Sequence, residues 1–319
     1  MFLSFYWYFS CSRFLFCFDP GHKCRGHPIF HCSICEFLVN VMKFVWKMLD
    51  FLLLFVRYSF IMILNFDYRR SLAVGELIAV LSGKGGTGKT SVCAGLSIAL
   101  AAANRRVLCI DCDVGLRNLD ISLGISDSGA LSFLEVCRGD YPLSAAAEHP
   151  QFPTLRFLTA PMNCPAEAID LAAFGQMIRS ARQQFDYIFL DAPAGVDAGF
   201  RLASTYADRC ILVTGPGPAA IRDAKRTGEI LELMGKTNIR LVVNRVDKKM
   251  VSAMDLTIDD VMDNAGLPLL GVVPEDLNIT LAAAFGRPIL KYAPRCAAAK
   301  ACRRIANRIQ GIPEPINIR

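Results

Sequence analysis

Eight consecutive residues, Gly83-Lys84-Gly85-Gly86-Thr87-Gly88-Lys89-Thr90, follow the spacing G-x-x-x-x-G-K-[ST]. Glycines placed this way let successive backbone N–H groups turn inward around one anion, and a helix starting behind them adds partial positive charge. Lys89 brings a mobile cation suited to β- and γ-phosphates, and Thr90 a hydroxyl suited to Mg²⁺. A glycine-rich turn that holds a lysine by chance is the plainer alternative. It has no need of a strand before it and a helix after it, and both are expected here.

Carboxylates form the second group. Asp111 and Asp113 stand at i and i+2 at the end of an apolar run. On an extended segment i and i+2 share a face, where two acids can divide the work, one meeting a metal and the other an attacking water. Capping of the next helix suits Asp120 better than Asp113. Asp191 ends the run Tyr187-Ile188-Phe189-Leu190. An acid there is unfavourable unless something cationic meets it, and water-mediated Mg²⁺ answers that need.

Other chemistries find less support. His149, the one histidine after residue 73, stands beside Pro150 without a catalytic companion, and no nucleophilic triad is visible. Cys296 and Cys302 are too far apart for a C-x-x-C pair, and the cysteines after residue 73 sit mostly in apolar runs, as in a reducing compartment. The net charge of +6 divides into +4 for residues 1–73 and +2 for 74–319, so bulk charge does not argue for nucleic acid. Arg222, Lys225 and Arg226, with Arg240, Lys248 and Lys249, could form a basic face, but solvated helices look the same.

The elements that must position these groups alternate. Apolar runs at 77–82, 106–111, 154–160, 187–192, 209–215, 239–244 and 268–273 read as strands. Helices are expected over 89–103, 166–183 and 295–309 and between the later strands. Continuous Val/Ile/Leu strands separated by helices predict an α/β fold, a doubly wound, mostly parallel sheet with helices on both faces. Ligands of such sheets bind at the carboxyl ends of the strands, where the loop and the acids lie.

Residues 1–73 are a different material. The first seventy residues hold thirteen of the 21 Phe, both Trp and five of the 13 Cys, without a sustained period of 2 or 3.6. Three readings stay open: a disordered upstream stretch from a start set too early, a membrane-associated extension, or a zinc knuckle from Cys24, His27, His31, Cys32 and Cys35. Lys43, Lys47, Asp50 and Arg57 interrupt the most apolar part, leaving no clean membrane span. Residues 74–319 read as one domain.

The run KGGTGKT, with Lys84 directly after the first glycine, resembles the deviant Walker A loop of the MinD/ParA superfamily of P-loop NTPases. The loop DCDVGLRNLD (111–120) resembles switch I of the MinD-type septum-site-determining ATPases, and YIFLDAPAG (187–195) the family's Walker B strand and switch II. The similarity spans roughly residues 76–310. It implies ATP and Mg²⁺ as ligands and slow hydrolysis that an activating partner accelerates. It implies an ATP-dependent homodimer in which Lys84 crosses to its neighbour, with Lys84, Lys89 and Asp113 catalytic. Asp113 would position water, while Thr90, Asp111 and Asp191 would serve the metal. Gly83 to Ser91, Gly195, Asn244, Pro274 and Asp276 would hold the nucleotide, the last three near the base. Partners resembling the division inhibitor MinC and the activator MinE follow, with a cytoplasmic location, peripheral at the inner membrane face. A ParA-like DNA-partitioning or flagellar-number role is the alternative.

Three departures are visible. Residues 160–168, APMNCPAEA, differ from the usual loop, and Ser91 stands where Thr is more common. The family's short C-terminal amphipathic membrane helix is not evident: AKACRRIANRI reads as the last domain helix, and two prolines follow it.

Overall fold

In the computed structural model the described residues are 41–53 and 74–316, apart from 115–116, 126–128, 163, 248, 250–252 and 256. The proposed zinc knuckle lies outside them. The chain divides after Ser71 into two units. In the first, residues 41–53 form a helix exposed along its whole length.

Among the described residues of the second unit the strands form one eight-stranded sheet, ordered β3-β4-β2-β5-β1-β6-β7-β8. The strands are β1 (Glu76–Leu81), β2 (Val107–Asp111), β3 (Ala147–His149), β4 (Phe152–Leu158), β5 (Tyr187–Asp191), β6 (Arg209–Thr214), β7 (Ile239–Val246) and β8 (Leu269–Pro274). All pairs are parallel except β3 with β4. The antiparallel edge strand β3 was not legible in sequence, because three residues carry no period of their own.

The helices are α1 (Lys89–Ala102), α2 (Leu119–Leu123), α3 (Phe133–Cys137), α4 (Leu171–Gln184), α5 (Ala198–Thr205), α6 (Pro218–Leu233), α7 (Ile258–Ala265), α8 (Leu277–Ala284), α9 (Ile289–Tyr292) and α10 (Ala297–Ile309). Alternation along β1 explains the two layers. Leu77, Ala79 and Leu81 face a core shared with Phe133, Phe174, Phe200, Leu231 and Val261, from α3 to α7. Ile78 and Val80 face a second core with Leu96, Leu123, Leu290 and Ile305, from α1, α2, α9 and α10.

The helix expected over 166–183 is interrupted. Ala166–Ala168 form one 3₁₀ turn, Ile169 is extended, and Asp170 caps α4 by accepting from Ala172 N–H at 2.8 Å. A capping acid ends the earlier turn and begins the true helix. Asp120 does not cap α2: Asn118 holds that position, and Asp120 sits in the first turn, accepting from Ile121 N–H at 2.7 Å. Helix α10 packs on the core with Ala298, Ala301, Cys302, Ile305 and Ile309 buried, so its apolar face is already used. The cysteines of this unit are free, Cys93, Cys109, Cys112, Cys210 and Cys302 buried.

Candidate nucleotide site

The candidate residues gather at the carboxyl ends of the strands. Between β1 and α1 the phosphate loop turns through left-handed Gly86 (φ 78°) and Gly88 (φ 81°), conformations glycine adopts without a side-chain clash. Gly88 immediately precedes α1, so the helix N-terminus faces the loop's concavity. Gly83 packs against α6: a Cβ there would stand 2.9 Å from the backbone oxygen of Asp223 and collide with the Thr227 hydroxyl.

Lys89 and Asp191 meet beneath the loop, Nζ to Oδ1 at 2.9 Å, and Lys89 Nζ lies 3.5 Å from Thr90 Oγ1. Parallel register between β2 and β5 sets Asp111 beside Asp191. Asp111 Oδ1 accepts from Asp113 N–H at 2.9 Å and Oδ2 from Leu119 N–H at 3.2 Å, so one carboxylate holds both ends of the loop between β2 and α2. Burial, aided by the charge of Asp191, pushes the Asp111 pKa up to about 7 against those two hydrogen bonds. Asp191 is also raised by burial, with Lys89 opposing. Burial raises the half-buried Asp113 as well, again against Lys89.

Two crowded, desolvated acids beside one lysine leave an excess of negative charge that a divalent cation would relieve. Thr90 adds a hydroxyl, and the described residues contain no cluster of three or more His, Cys, Asp or Glu that would cage a metal alone. This donor set fits Mg²⁺, which is usually held by one or two protein groups together with water and phosphate oxygens.

Lys84 is exposed and, among the described residues, makes no ion pair; its carbonyl accepts from Ser82 Oγ at 3.0 Å. Gly195, with φ 96°, donates to Ser82 O at 3.1 Å, which ties the loop after β5 to the end of β1. Asn244 is buried and donates to Thr87 O at 2.8 Å, while its Oδ1 and Thr87 Oγ1 have no partner among the described residues. Ser91 and Asn244 line a small cavity of about 30 Å³ with Val273, Ile279 and Arg287. A second, larger cleft of about 440 Å³ is lined by Lys84, Gly86, Pro216, Arg245, Asp247 and Glu275.

Pro274 ends β8 and is half-buried. Both Asp276 oxygens serve helix starts: Oδ1 accepts from Asn278 N–H and Oδ2 from Ala298 N–H, each at 3.0 Å. Burial works against its ionisation, but these hydrogen bonds prevail and lower its pKa. Sequence reasoning missed Arg245 and Glu275, which pair at 2.9 Å at the rim of the larger cleft. Nothing in strand periodicity would have marked them.

Residues 78–289 match the protein-family profile described as CobQ/CobB/MinD/ParA nucleotide binding domain. The septum site-determining protein MinD of Bacillus subtilis is 36% identical over 251 residues, covering 77% of this chain and 92% of its own length. That of Synechocystis sp. is 35% identical over 240 residues, 75% and 90% of the two chains. In the MinC:MinD cell division protein complex of Aquifex aeolicus, one chain superposes with a TM-score of 0.71 at 32% identity, covering 76% of this chain and 98% of its own. MinD of Pyrococcus horikoshii complexed with Mg-ADP gives a TM-score of 0.65 at 32% identity, covering 74% and 96%.

Proposed function

Because the chain belongs to the MinD family of septum site-determining proteins, within the CobQ/CobB/MinD/ParA nucleotide-binding group, we propose that residues 74–319 work as an ATP-driven dimerising switch in division-site placement. ATP and Mg²⁺ are its ligands, and it hydrolyses ATP to ADP and phosphate.

The observation that carries the switch is Lys84. It stands exposed on the phosphate loop with no ion-pair partner among the described residues, while Lys89 already meets Asp191. A cation left free at the loop's rim can reach a nucleotide bound by a second copy, so ATP binding and pairing become one event. Lys89 turns from Asp191 to the β- and γ-phosphates. Asp113 orients the attacking water and takes its proton as the bond from the γ-phosphorus to the bridging oxygen breaks. Thr90, with Asp111 and Asp191 behind it, would hold Mg²⁺, which would supply positive charge against the triphosphate. The mechanism is positioning and charge neutralisation. Turnover is slow until an activating partner of the MinE kind docks, and the ATP-bound dimer carries an inhibitor of the MinC kind.

Sedimentation velocity with ATP or ADP tests this. Wild type should dimerise with ATP and return to monomer as ADP accumulates. Lys84→Ala should stay monomeric while still binding ATP. Dimerisation of Lys84→Ala at the wild-type ATP concentration would sink the reading.

A second reading, attachment at the membrane surface, is favoured by residues 41–53. Lys43, Lys47 and Asp50 recur at i, i+4 and i+7 and share one face. Phe44, Val45, Trp46, Met48, Leu49, Phe51 and Leu52 are exposed around the rest. Among the described residues no helix is long and apolar enough to cross a membrane. This one suits the interface, apolar side in the acyl region and lysines at anionic headgroups. Co-sedimentation of the full chain with anionic vesicles, against Val45→Glu/Leu52→Glu, is the check; equal binding by both proteins would exclude it.

A further inference from the structure

Strand β7 ends in an irregularity that involves two adjacent residues. Its pairing with β8 slips between Val243 and Val246, and Arg245, inside the slip, has a φ of 58°. That left-handed conformation is strained for a residue with a long side chain. A regular strand would send residues 244 and 245 to opposite faces. The bulge instead turns both onto the phosphate loop: Asn244 Nδ2 donates to Thr87 O at 2.8 Å, and Arg245 Nη1 to Gly86 O at 3.3 Å. Glu275, just beyond β8, holds Arg245 from the other side, Oε2 accepting from Nε at 2.9 Å. The Asn244 amide also lies so close to Gly88 that a Cβ there would collide with it.

A trans peptide is planar, with its C=O and N–H pointing in opposite directions. The carbonyl of Gly86 shares its plane with the N–H of Thr87, and that of Thr87 with the N–H of Gly88. Fixing two successive carbonyls toward β7 therefore aims two successive N–H groups away from it, into the concavity where a phosphate would sit. We infer that Asn244 and Arg245 are positioning residues that pre-form the anion-binding N–H array of the loop. They act on the triphosphate through the loop, whatever base is attached. This goes beyond the base contact that family resemblance implies for Asn244, and it rests on the nucleotide reading above. Wild-type affinity reports on that reading; the ratio of variant to wild type reports on this one.

The experiment is calorimetric titration of the full chain with ATP, GTP and inorganic tripolyphosphate, each with Mg²⁺. Asn244→Ala and Arg245→Ala should weaken all three by a common factor, about tenfold for one lost hydrogen bond and a loosened loop. Arg245→Lys, which keeps a donor, should recover part of that loss. Arg245→Gly separates this role from a structural one: it relieves the left-handed backbone, so its melting temperature should equal or exceed wild type while its affinity for all three falls. If Asn244→Ala weakens ATP but spares GTP and tripolyphosphate, Asn244 reads the base and the inference fails. Wild-type affinity in Arg245→Gly, or a lowered melting temperature, overturns the part given to Arg245.

Discussion

Lys89 Nζ and Asp191 Oδ1 lie 2.9 Å apart although 102 residues separate them, and their side chains are only 7% and 1% exposed. The pair joins the first turn of α1 to the end of β5 directly beneath the phosphate loop. Each charge would be strongly unfavourable there without the other. The contact therefore holds the lysine close to where phosphate must arrive, and β5 gains a partner for an acid that burial alone would neutralise.

Removing the acid should show this. Asp191→Ala leaves a buried ammonium unpaired and is expected to lower the stability of the nucleotide-free protein by about 3–5 kcal/mol. Urea denaturation should give a lower midpoint with an unchanged slope. A midpoint equal to wild type would mean that the pair contributes nothing to the resting fold.

Asp111 sets one pH dependence. Its folded pKa, about 7, lies above the ordinary aspartate value of 3.8, so between them the folded protein holds a proton that the unfolded chain has released. The stability this gives is complete below 3.8 and is lost as pH rises through about 7. Asp111→Asn cannot titrate, so without nucleotide the wild type should lose melting temperature between pH 5.5 and 8 relative to that variant. A constant difference across the range would count against it. The same variant should bind MgATP more weakly.

His149 acts with the opposite sign. Its Nε2 lies 2.8 Å from Leu123 O, and its Nδ1 accepts from Gln151 N–H at 3.1 Å, a pattern that fits the neutral ring. Burial lowers its pKa from 6.5 against the hydrogen bond to Leu123. Protonation then favours the unfolded chain, so this contribution is present above 6.5 and declines as pH falls below it. Thermal melts should show wild type losing stability from pH 7 to 5.5 more steeply than His149→Gln; parallel profiles would refute the assignment.

Asp113 should separate binding from hydrolysis. It is half-buried, with a raised pKa that makes it a better proton acceptor than a free carboxylate. Asp113→Ala is expected to bind ATP normally, to slow phosphate release about 10²–10⁴-fold, and to leave the dimer persistent. Single-turnover assays with sedimentation would measure both, and dissociation at the wild-type rate would exclude the role.

The phosphate loop was legible in sequence because its chemistry is contiguous: Gly86 and Gly88 can take φ values of 78° and 81° on local grounds alone, and Lys89 follows at a fixed offset. The central strands were legible for a related reason. A strand covered on both faces needs nearly every residue apolar, so β1 and β5 declare themselves, and Asp111 and Asp191 stand out at strand ends. The break at Asp170 was harder, since an acid at a helix start and an acid on a helix face look alike until the preceding residue is seen to be extended. Residue type placed Asn244 at a strand end, but not the bulge that turns it and Arg245 onto Gly86 and Thr87.

Sequence by itself determined what depends on neighbours within a few residues: the loop that can cradle phosphate, the strand cores, and the family to which the chain belongs. Tertiary structure decided what depends on partners distant in the chain. It brought Lys89 to Asp191, set Asp111 beside Asp191, committed Asp276 to the start of α10, and buried the apolar face of that helix. Local backbone conformation is governed by sterics that each residue carries with it. The ionisation and orientation of a buried side chain are governed by whichever groups packing brings within a few ångströms, and that is settled only when the sheet closes.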